Sequence, residues 1–249
     1  MAAKLCVVTG TSSGIGRAVA EALLAREWKV VGVVRREAPI RHPAYRHLRL
    51  DLGDVAVLEG HFERRFAEAM PLAGLDRVGL VNNAAVVDPV GPSSRLPAAG
   101  LARAFAVNAV APLWLMGWAL RCFRGPKLRI VNVSSGAAHR AYAGWSAYCT
   151  TKAALRMAGQ VVAAESEAFP PGAATPPDLA VVSYEPGVVD TAMQAAVRSV
   201  GREDFPQVQR FLDLHAQGKL VRPEGPAAEI ARLLERDDLP VFSEARFGA

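Results

Sequence analysis

Tyr148 and Lys152 stand four positions apart inside Ser146 to Phe169, a stretch whose apolar spacing predicts a helix. Residues at i and i+4 leave a helix on the same face, one turn apart, so a phenol and an ammonium become neighbours. A free tyrosine has a pKa of about 10 and is a slow acid–base group at neutral pH. A nearby ammonium favours the phenolate and draws that value toward the working pH, where proton transfer is efficient. The pair could therefore move a proton to or from a bound oxygen. Alone, the same spacing also fits a solvated helix face, and the rest of the chain has to decide.

Short β-branched runs alternate with longer helical patterns along the 249 residues. Leu5 to Val8, Lys29 to Val34, His47 to Leu50, Val78 to Val81, Leu128 to Val133, Leu179 to Ser183 and Leu239 to Phe242 predict strands. Between them, Ile15 to Arg26, Val55 to Met70, Leu101 to Phe123, Ser146 to Phe169 and Pro226 to Glu235 predict helices. Such alternation predicts parallel strands joined by right-handed crossovers, with helices on both faces of a doubly wound α/β sheet. Breakers fall between elements, at Pro39 and Pro43, at Pro89 to Pro97 and at Pro170 to Pro177. The last reads as a surface loop, because the pattern resumes at once after it. With 51% hydrophobic residues, no internal repeat and no linker, one domain over 1–249 is expected.

Composition excludes several function classes. The net charge is +5, but the basic residues are spread along the chain, which suits mild attraction to an anionic ligand and not a nucleic-acid groove. Ala104 to Leu120 nears the length of a membrane span, yet it contains Asn108, Pro112 and Gly117 and has charges close by, so a buried helix is expected. A strand-like run starts within a few residues of Met1, leaving no room for a signal peptide. Cys6, Cys122 and Cys149 are odd in number and scattered, which fits a reducing cytoplasm better than a disulfide framework; no metal site is expected.

In a doubly wound sheet, ligands bind beyond the carboxyl ends of the strands, and the first strand-to-helix turn meets phosphates. Here Gly10 permits the tight turn, Gly14 lets backbone approach a pyrophosphate, and Gly16 lets helix and strand pack closely. Ser12, Ser13 and Ile15 complete a turn whose helix-start N–H groups would face the anion. At the end of the second strand an NAD site would place a carboxylate for the ribose hydroxyl. This chain has Val34, Arg35 and Arg36, and a guanidinium clamps a 2′-phosphate instead, so NADP(H) is the expected cofactor. Arg36 or Arg17 would assist Arg35.

Thr9 followed by glycines in the spacing Gly-x-x-x-Gly-x-Gly resembles the short-chain dehydrogenase/reductase family. Matches follow in family order over nearly the whole chain: Asp51, Asn82-Asn83-Ala84, Asn108, Ser135, Tyr148-x-x-x-Lys152, and Pro186-Gly187 with Thr191. The resemblance implies one Rossmann-type domain with a seven-stranded, mainly parallel sheet in the order 3-2-1-4-5-6-7. Its cofactor-binding part would cover about residues 1–140 and its catalytic and substrate part about 130–249. It implies that Asp51, beside Leu52, holds the adenine amino group, although a turn or N-cap role would also suit Asp there. Asn83 and Ala84 would lie along the cofactor, with Ala85 replacing the family's glycine. Ser135 precedes Tyr148 by thirteen positions, the family spacing, and is preferred over Ser134 for holding the substrate oxygen. Asn108 would bind a water of a proton relay through Lys152, and Tyr148 and Lys152 would also touch the cofactor. Pro186, Gly187, Val189 and Thr191 would fix the nicotinamide. The implied reaction is hydride transfer from NADPH to a carbonyl carbon while Tyr148 gives a proton to the oxygen. In this family the long helices around Asn108 and Tyr148 pair with partner subunits, which implies a homodimer or homotetramer.

Gly144 to Cys149, Tyr184 to Gln194 and Gly218 to Val221 are most similar to the sepiapterin reductases and bacterial benzil reductases. They imply reduction of a ketone or one carbonyl of a vicinal diketone, with a pterin side chain as the alternative. Val241 to Phe247 offers no clear counterpart of the acidic residue that holds the pterin; Glu244 is the nearest. Trp145, Met193 and Gln194 would line the substrate cleft or serve as packing. A non-catalytic NADP-sensing regulator could keep the glycine turn and Arg35, but would have no need of Ser135, Tyr148 and Lys152 together.

Overall fold

A computed structural model describes residues 3–70, 74–168 and 178–248. The expected loop at Pro170 to Pro177 and the last helix position, Phe169, lie outside them. Seven strands form one sheet: β1 (Ala3–Thr9), β2 (Lys29–Val34), β3 (Tyr45–Arg49), β4 (Leu75–Asn82), β5 (Lys127–Val133), β6 (Leu179–Glu185) and β7 (Phe242–Arg246). Their order is β3-β2-β1-β4-β5-β6-β7 and every neighbouring pair is parallel. The fold is the doubly wound one that alternation of strand and helix implied.

Parallel strands covered on both sides are apolar at nearly every position, because successive side chains enter opposite layers. Leu5 and Val7 of β1 enter one core with Phe62, Phe66, Leu115 and Trp118. Cys6 and Val8 enter the other, against Val19 and Leu23 of α1 (Gly14–Leu24) and Ile230 and Leu234 of α8 (Glu224–Glu235). Trp118 is the hub of the first layer, with ring centroids 4.9 Å from Phe62, 4.6 Å from Phe66 and 5.3 Å from Phe123.

Helices depart from the sequence pattern where local chemistry intervenes. The expected helix from Val55 to Met70 breaks into a turn at Val55–Val57, an irregular segment at Leu58–Phe62 and α2 (Glu63–Ala69). Gly60, at φ 61°, occupies the left-handed region that glycine adopts without strain, and this swings Phe62 and Phe66 onto the sheet. The expected helix from Leu101 to Phe123 is α3 (Ala98–Phe105), a π turn at Ala106–Val110 and α4 (Ala111–Cys122). Pro112 has no N–H to give the Asn108 carbonyl its i+4 partner, and the wider turn takes up the defect. α5 (Ser146–Ala168) is continuous. Two helices that the pattern did not reveal, α6 (Ala192–Arg198) and α7 (Val208–Ala216), cover the end of the sheet above β6. β7 overlaps the expected strand Leu239 to Phe242 only at Phe242: pairing with β6 selects the following residues, a half-exposed edge strand that carries little apolar signal.

Trp118→Ala should lower the unfolding free energy by about 3–5 kcal/mol, since three phenylalanine rings lose their common contact. Urea unfolding measures it; a loss below about 1 kcal/mol would show that this layer collapses to fill the space.

Candidate active site

The strand ends that point the same way open onto one cavity of about 1000 Å³. At its centre is the turn after β1. Gly10 and Gly14 have φ of 79° and 56°, and a Cβ on Gly10 would come within 2.9 Å of the Asn83 amide. Gly16 does not line the cavity; a Cβ there would collide with the Gly10 carbonyl and Asn83, so this glycine lets the helix pack against the turn. Ser12, Ser13, Gly14 and Ile15 line the opening. Ser13 precedes α1 without capping it by its side chain, and no acidic residue occupies the first turn. The helix thus presents backbone donors and its positive dipole end to an anion.

Polar side chains hold this turn rigidly. The Thr9 hydroxyl accepts from the Asn83 and Ala84 amides, both at 2.9 Å, and the Asn83 side chain donates to the Thr9 carbonyl at 2.9 Å. Asn83 and Ala84 line the cavity beside the turn.

At one end of the cavity lie Arg35, Arg36, Asp51 and Leu52. Neither arginine makes an ion pair among the described residues. Arg17 instead pairs with Glu21 at 2.8 Å and does not reach the cavity wall. Asp51 accepts from the Gly53 amide at 2.9 Å and from Arg103 at 3.2 Å. Partial burial works to raise its carboxyl, but the Gly53 amide, Arg103 and the nearby Arg35 charge outweigh that and hold it below the ordinary value. Arg103, which lines the same end, was not singled out in the sequence; nothing in its surroundings there marks it off from an ordinary helix surface.

The other end gathers Ser135, Tyr148, Lys152, Pro186, Gly187, Val189 and Thr191, all on the cavity wall. Ser135 follows β5 and caps a short turn, accepting from the Ala137 amide at 3.2 Å. Its hydroxyl is near enough to the Tyr148 phenol to favour the phenolate. The Ser134 hydroxyl, by contrast, is buried without a partner among the described residues. Lys152 donates to the Val133 carbonyl at 2.7 Å, and its Nζ lies 5.7 Å from the centre of the Tyr148 ring. Thr191 caps α6, and its methyl would be 3.0 Å from a Cβ on Gly14, so the turns after β1 and β6 meet across the cavity.

Burial sets the titration of the pair. It pushes Tyr148 up to about 12 against the lowering effect of Ser135, and Lys152 down to about 8. The i, i+4 spacing predicts that the ammonium lowers the phenol; in the folded protein loss of water is the largest effect, and Tyr148 is a neutral phenol able to donate. Asn108 lies behind the wall. Its side chain accepts from the Val86 amide and donates to the Val86 carbonyl, both at 2.8 Å, and donates to Thr151 at 3.0 Å. The side chain is thus engaged through both its oxygen and its nitrogen.

Trp145, Met193 and Gln194 also line this end, with Val87, Tyr142 and Phe211. Tyr142, Trp145, Phe205 and Phe211 form an aromatic group whose edge reaches Tyr148 at 5.3 Å from Trp145. Phe211 comes from α7, and its pattern of Val208 and Phe211 one turn apart could have revealed that helix. His139, Glu185 and Glu244 close the wall; His139 lies 3.2 Å from Glu185, and Glu244 is bound by Arg156 at 2.5 Å.

A model of the short chain dehydrogenase family matches residues 4–200. The chain belongs to that family. Benzil reductase ((S)-benzoin forming) of Bacillus cereus is 35% identical over 94% of this chain and 95% of its own. Sepiapterin reductase of Meriones unguiculatus is 32% identical over 94% of this chain and 92% of its own. Among solved structures, that of the enzyme KRED1-Pglu superposes with a TM-score of 0.79 at 30% identity, over 96% of this chain and all of that one. As a family member the chain is an oxidoreductase built for a nicotinamide cofactor, and the glycine turn, the uncapped helix and the paired turns fit one.

The Lys152 value makes a prediction about stability. Folding lowers this group from 10.5 to about 8, so between those values the unfolded chain holds a proton that the folded chain has released. Its contribution to stability must rise with pH across that window. From pH 8 to pH 10 the unfolding free energy of the wild type should gain on that of Lys152→Met, measured in urea; parallel curves would refute it.

Proposed function

We propose that this protein is an NADPH-dependent carbonyl reductase that acts on a ketone, with one carbonyl of a benzil-type vicinal diketone as the favoured substrate. The observation that carries this reading is the cluster of Ser135 hydroxyl, Tyr148 phenol and Lys152 ammonium on the wall of one cavity, with unpaired Arg35 and Arg36 at its far end. When bound, NADPH supplies the hydride. Arg35, joined by Arg36, holds the 2′-phosphate through charge-assisted bonds, and the Ser12 to Ile15 turn receives the pyrophosphate. Asp51 and Leu52 hold the adenine; Asn83 and Ala84 flank the cofactor, and Pro186, Gly187, Val189 and Thr191 orient the nicotinamide.

Ser135 holds and polarises the carbonyl oxygen, and Tyr148, neutral up to about 12, donates the proton to it. Lys152 favours the negative charge that Tyr148 acquires as it gives up that proton. The Asn108 main-chain carbonyl, left without an α-helical partner by Pro112, is available to a water that returns a proton through Lys152. Positioning by the protein, not new covalent chemistry, lowers the barrier.

The aromatic group of Tyr142, Trp145 and Phe211 at this end of the cavity supports an aromatic diketone. The alternative of a pterin side chain is disfavoured because Arg156 already occupies Glu244. Cytoplasmic location, absence of nucleic-acid or membrane partners and a single domain complete the proposal. Phe105, Val110 and Leu113 on α3 to α4 and Met157 and Val161 on α5 are exposed, and we assign them to a homodimer or homotetramer interface. Leu113→Lys should then lower the mass found by light scattering.

Tyr148→Phe should cut kcat/KM for benzil by about 10²- to 10⁴-fold while NADPH still binds. Undiminished turnover would remove the assigned proton donor, and NADPH binding without turnover of any carbonyl by the wild type would favour a sensor. Arg35→Ser should reduce the preference for NADPH over NADH by about tenfold or more, the worth of a charge-assisted bond. Equal loss with both cofactors would place the phosphate elsewhere.

A further inference from the structure

The rings beside Tyr148 form one packed group. Trp145 meets Tyr148 edge-on with centroids 5.3 Å apart, and its face is stacked on Phe205 at 4.5 Å and 13°. Phe205 is fully buried and also packs on Phe211 at 5.6 Å. Trp145 and Phe211 line the cavity, and Phe205 backs them. His139, Arg140, Glu185, Arg210 and Glu244 put charge on the same cavity, so a preference for an aromatic substrate has to come from this ring group.

What holds Phe205 in place lies outside the cavity. Gly144, immediately before Trp145, has φ of 87° and abuts the main chain of the 201–205 turn. A Cβ on it would stand 2.1 Å from the Asp204 carbonyl oxygen and 3.3 Å from the Phe205 Cα. These are backbone atoms, which cannot turn aside as the tip of a side chain does. The loop after β4 clasps the same two segments. Its Gly91 amide donates to the Gly144 carbonyl at 2.9 Å, Ser93 donates to Ser146 at 3.0 Å, and Arg95 donates to the Asp204 carboxylate at 2.7 Å. Asp204 therefore meets Gly144 through its carbonyl and Arg95 through its carboxylate, one residue from the ring that backs Trp145. None of Gly91, Arg95, Gly144 and Asp204 lines the cavity.

We propose that Gly144 and the Arg95–Asp204 ion pair are positioning residues that make the cleft favour an aromatic over a small aliphatic dicarbonyl. They seat the 201–205 turn on the chain before Tyr148 and so fix Trp145 and Phe205 as a wall. The proposal rests on the reductase reading above. Both kinds of substrate use Ser135 and Tyr148, but only an aromatic one gains by lying against rings whose position is fixed.

The test compares benzil with butane-2,3-dione, the same vicinal dicarbonyl with methyl groups in place of the phenyls. With NADPH, kcat/KM is measured for both in the wild type, Gly144→Ala, Arg95→Asp, Asp204→Arg and the double reversal. Gly144→Ala, strained at its φ and unable to seat the turn, should lower the benzil-to-butanedione ratio by about tenfold or more. Each single reversal should lower it by about fivefold, the upper scale of an exposed ion pair, and the double reversal should bring it back to within about twofold of wild type. A disturbance of Tyr148 itself lowers both substrates together and cancels from the ratio. An unchanged ratio in Gly144→Ala or in both single reversals overturns the proposal, as does a double reversal that restores nothing. If Gly144→Ala does not fold, the reversals decide alone. If the wild type turns over neither dione, the reductase reading falls, and benzil affinity for the NADP⁺-loaded protein, read by calorimetry in the same variants, decides the positioning.

Discussion

A lysine ammonium held in a nearly dry interior is the constraint on which the rest of this structure depends. Lys152 is 3% exposed, and its one hydrogen-bond partner among the described residues is the carbonyl at the end of β5, 2.7 Å away. Burying a cation without good hydrogen bonds is expensive, so that bond fixes where α5 lies against the sheet. Tyr148, one turn earlier on the helix, is thereby carried to the carboxyl end of the strand, beside Ser135. The same burial that costs stability also brings Lys152 near neutrality and keeps Tyr148 protonated, so position and proton inventory have one cause.

The polar residues around it follow a spatial rule. Along most of their length the strands are apolar on both faces, but at the site end they carry amides that bridge one strand to the next. Asn82 donates to Asn132 at 2.8 Å, and Thr9 ties the end of β1 to Asn83 and Ala84. Asn108 performs the same service for the chain after β4, clamping Val86 and reaching Thr151 on α5. These bonds are directional where hydrophobic contacts are not, and they hold neighbouring turns in register while leaving their outer surface open.

The sheet and the cofactor-facing turns were legible because each leaves a local signal. A run such as Lys29 to Val34 is apolar in consecutive positions, and glycines at positive φ mark the turn after β1 by residue type alone. The strand order came from the resemblance and was found as expected. What stayed hidden was decided by distant partners. α6 and α7 are short, and their buried faces pack on Trp145 and Phe205; α7 leaves only the weak local signal of Val208 and Phe211 one turn apart, and α6 leaves less. β7 is defined by the register of β6, and the contact of Arg103 with Asp51 joins residues 52 positions apart. The raised Tyr148 value is likewise a property of burial, which the i, i+4 spacing cannot report.

The two halves of the cavity are finished to different degrees by the protein itself. On the cofactor side Thr9, Asn83, Asp51, Asn108 and Lys152 all find protein partners. Trp145 and Gln194 near the substrate end, and Ser134 and Asn82 near the strand ends, each keep a buried polar atom without a partner among the described residues. Satisfied networks rigidify a structure, whereas unpaired groups make its energy depend on what is placed against them. A shared cofactor calls for the first condition and a discriminated substrate for the second. Changes in specificity should therefore concentrate on α6, α7 and the segment before Tyr148, where substitution disturbs neither the lysine nor the strand ends that hold it.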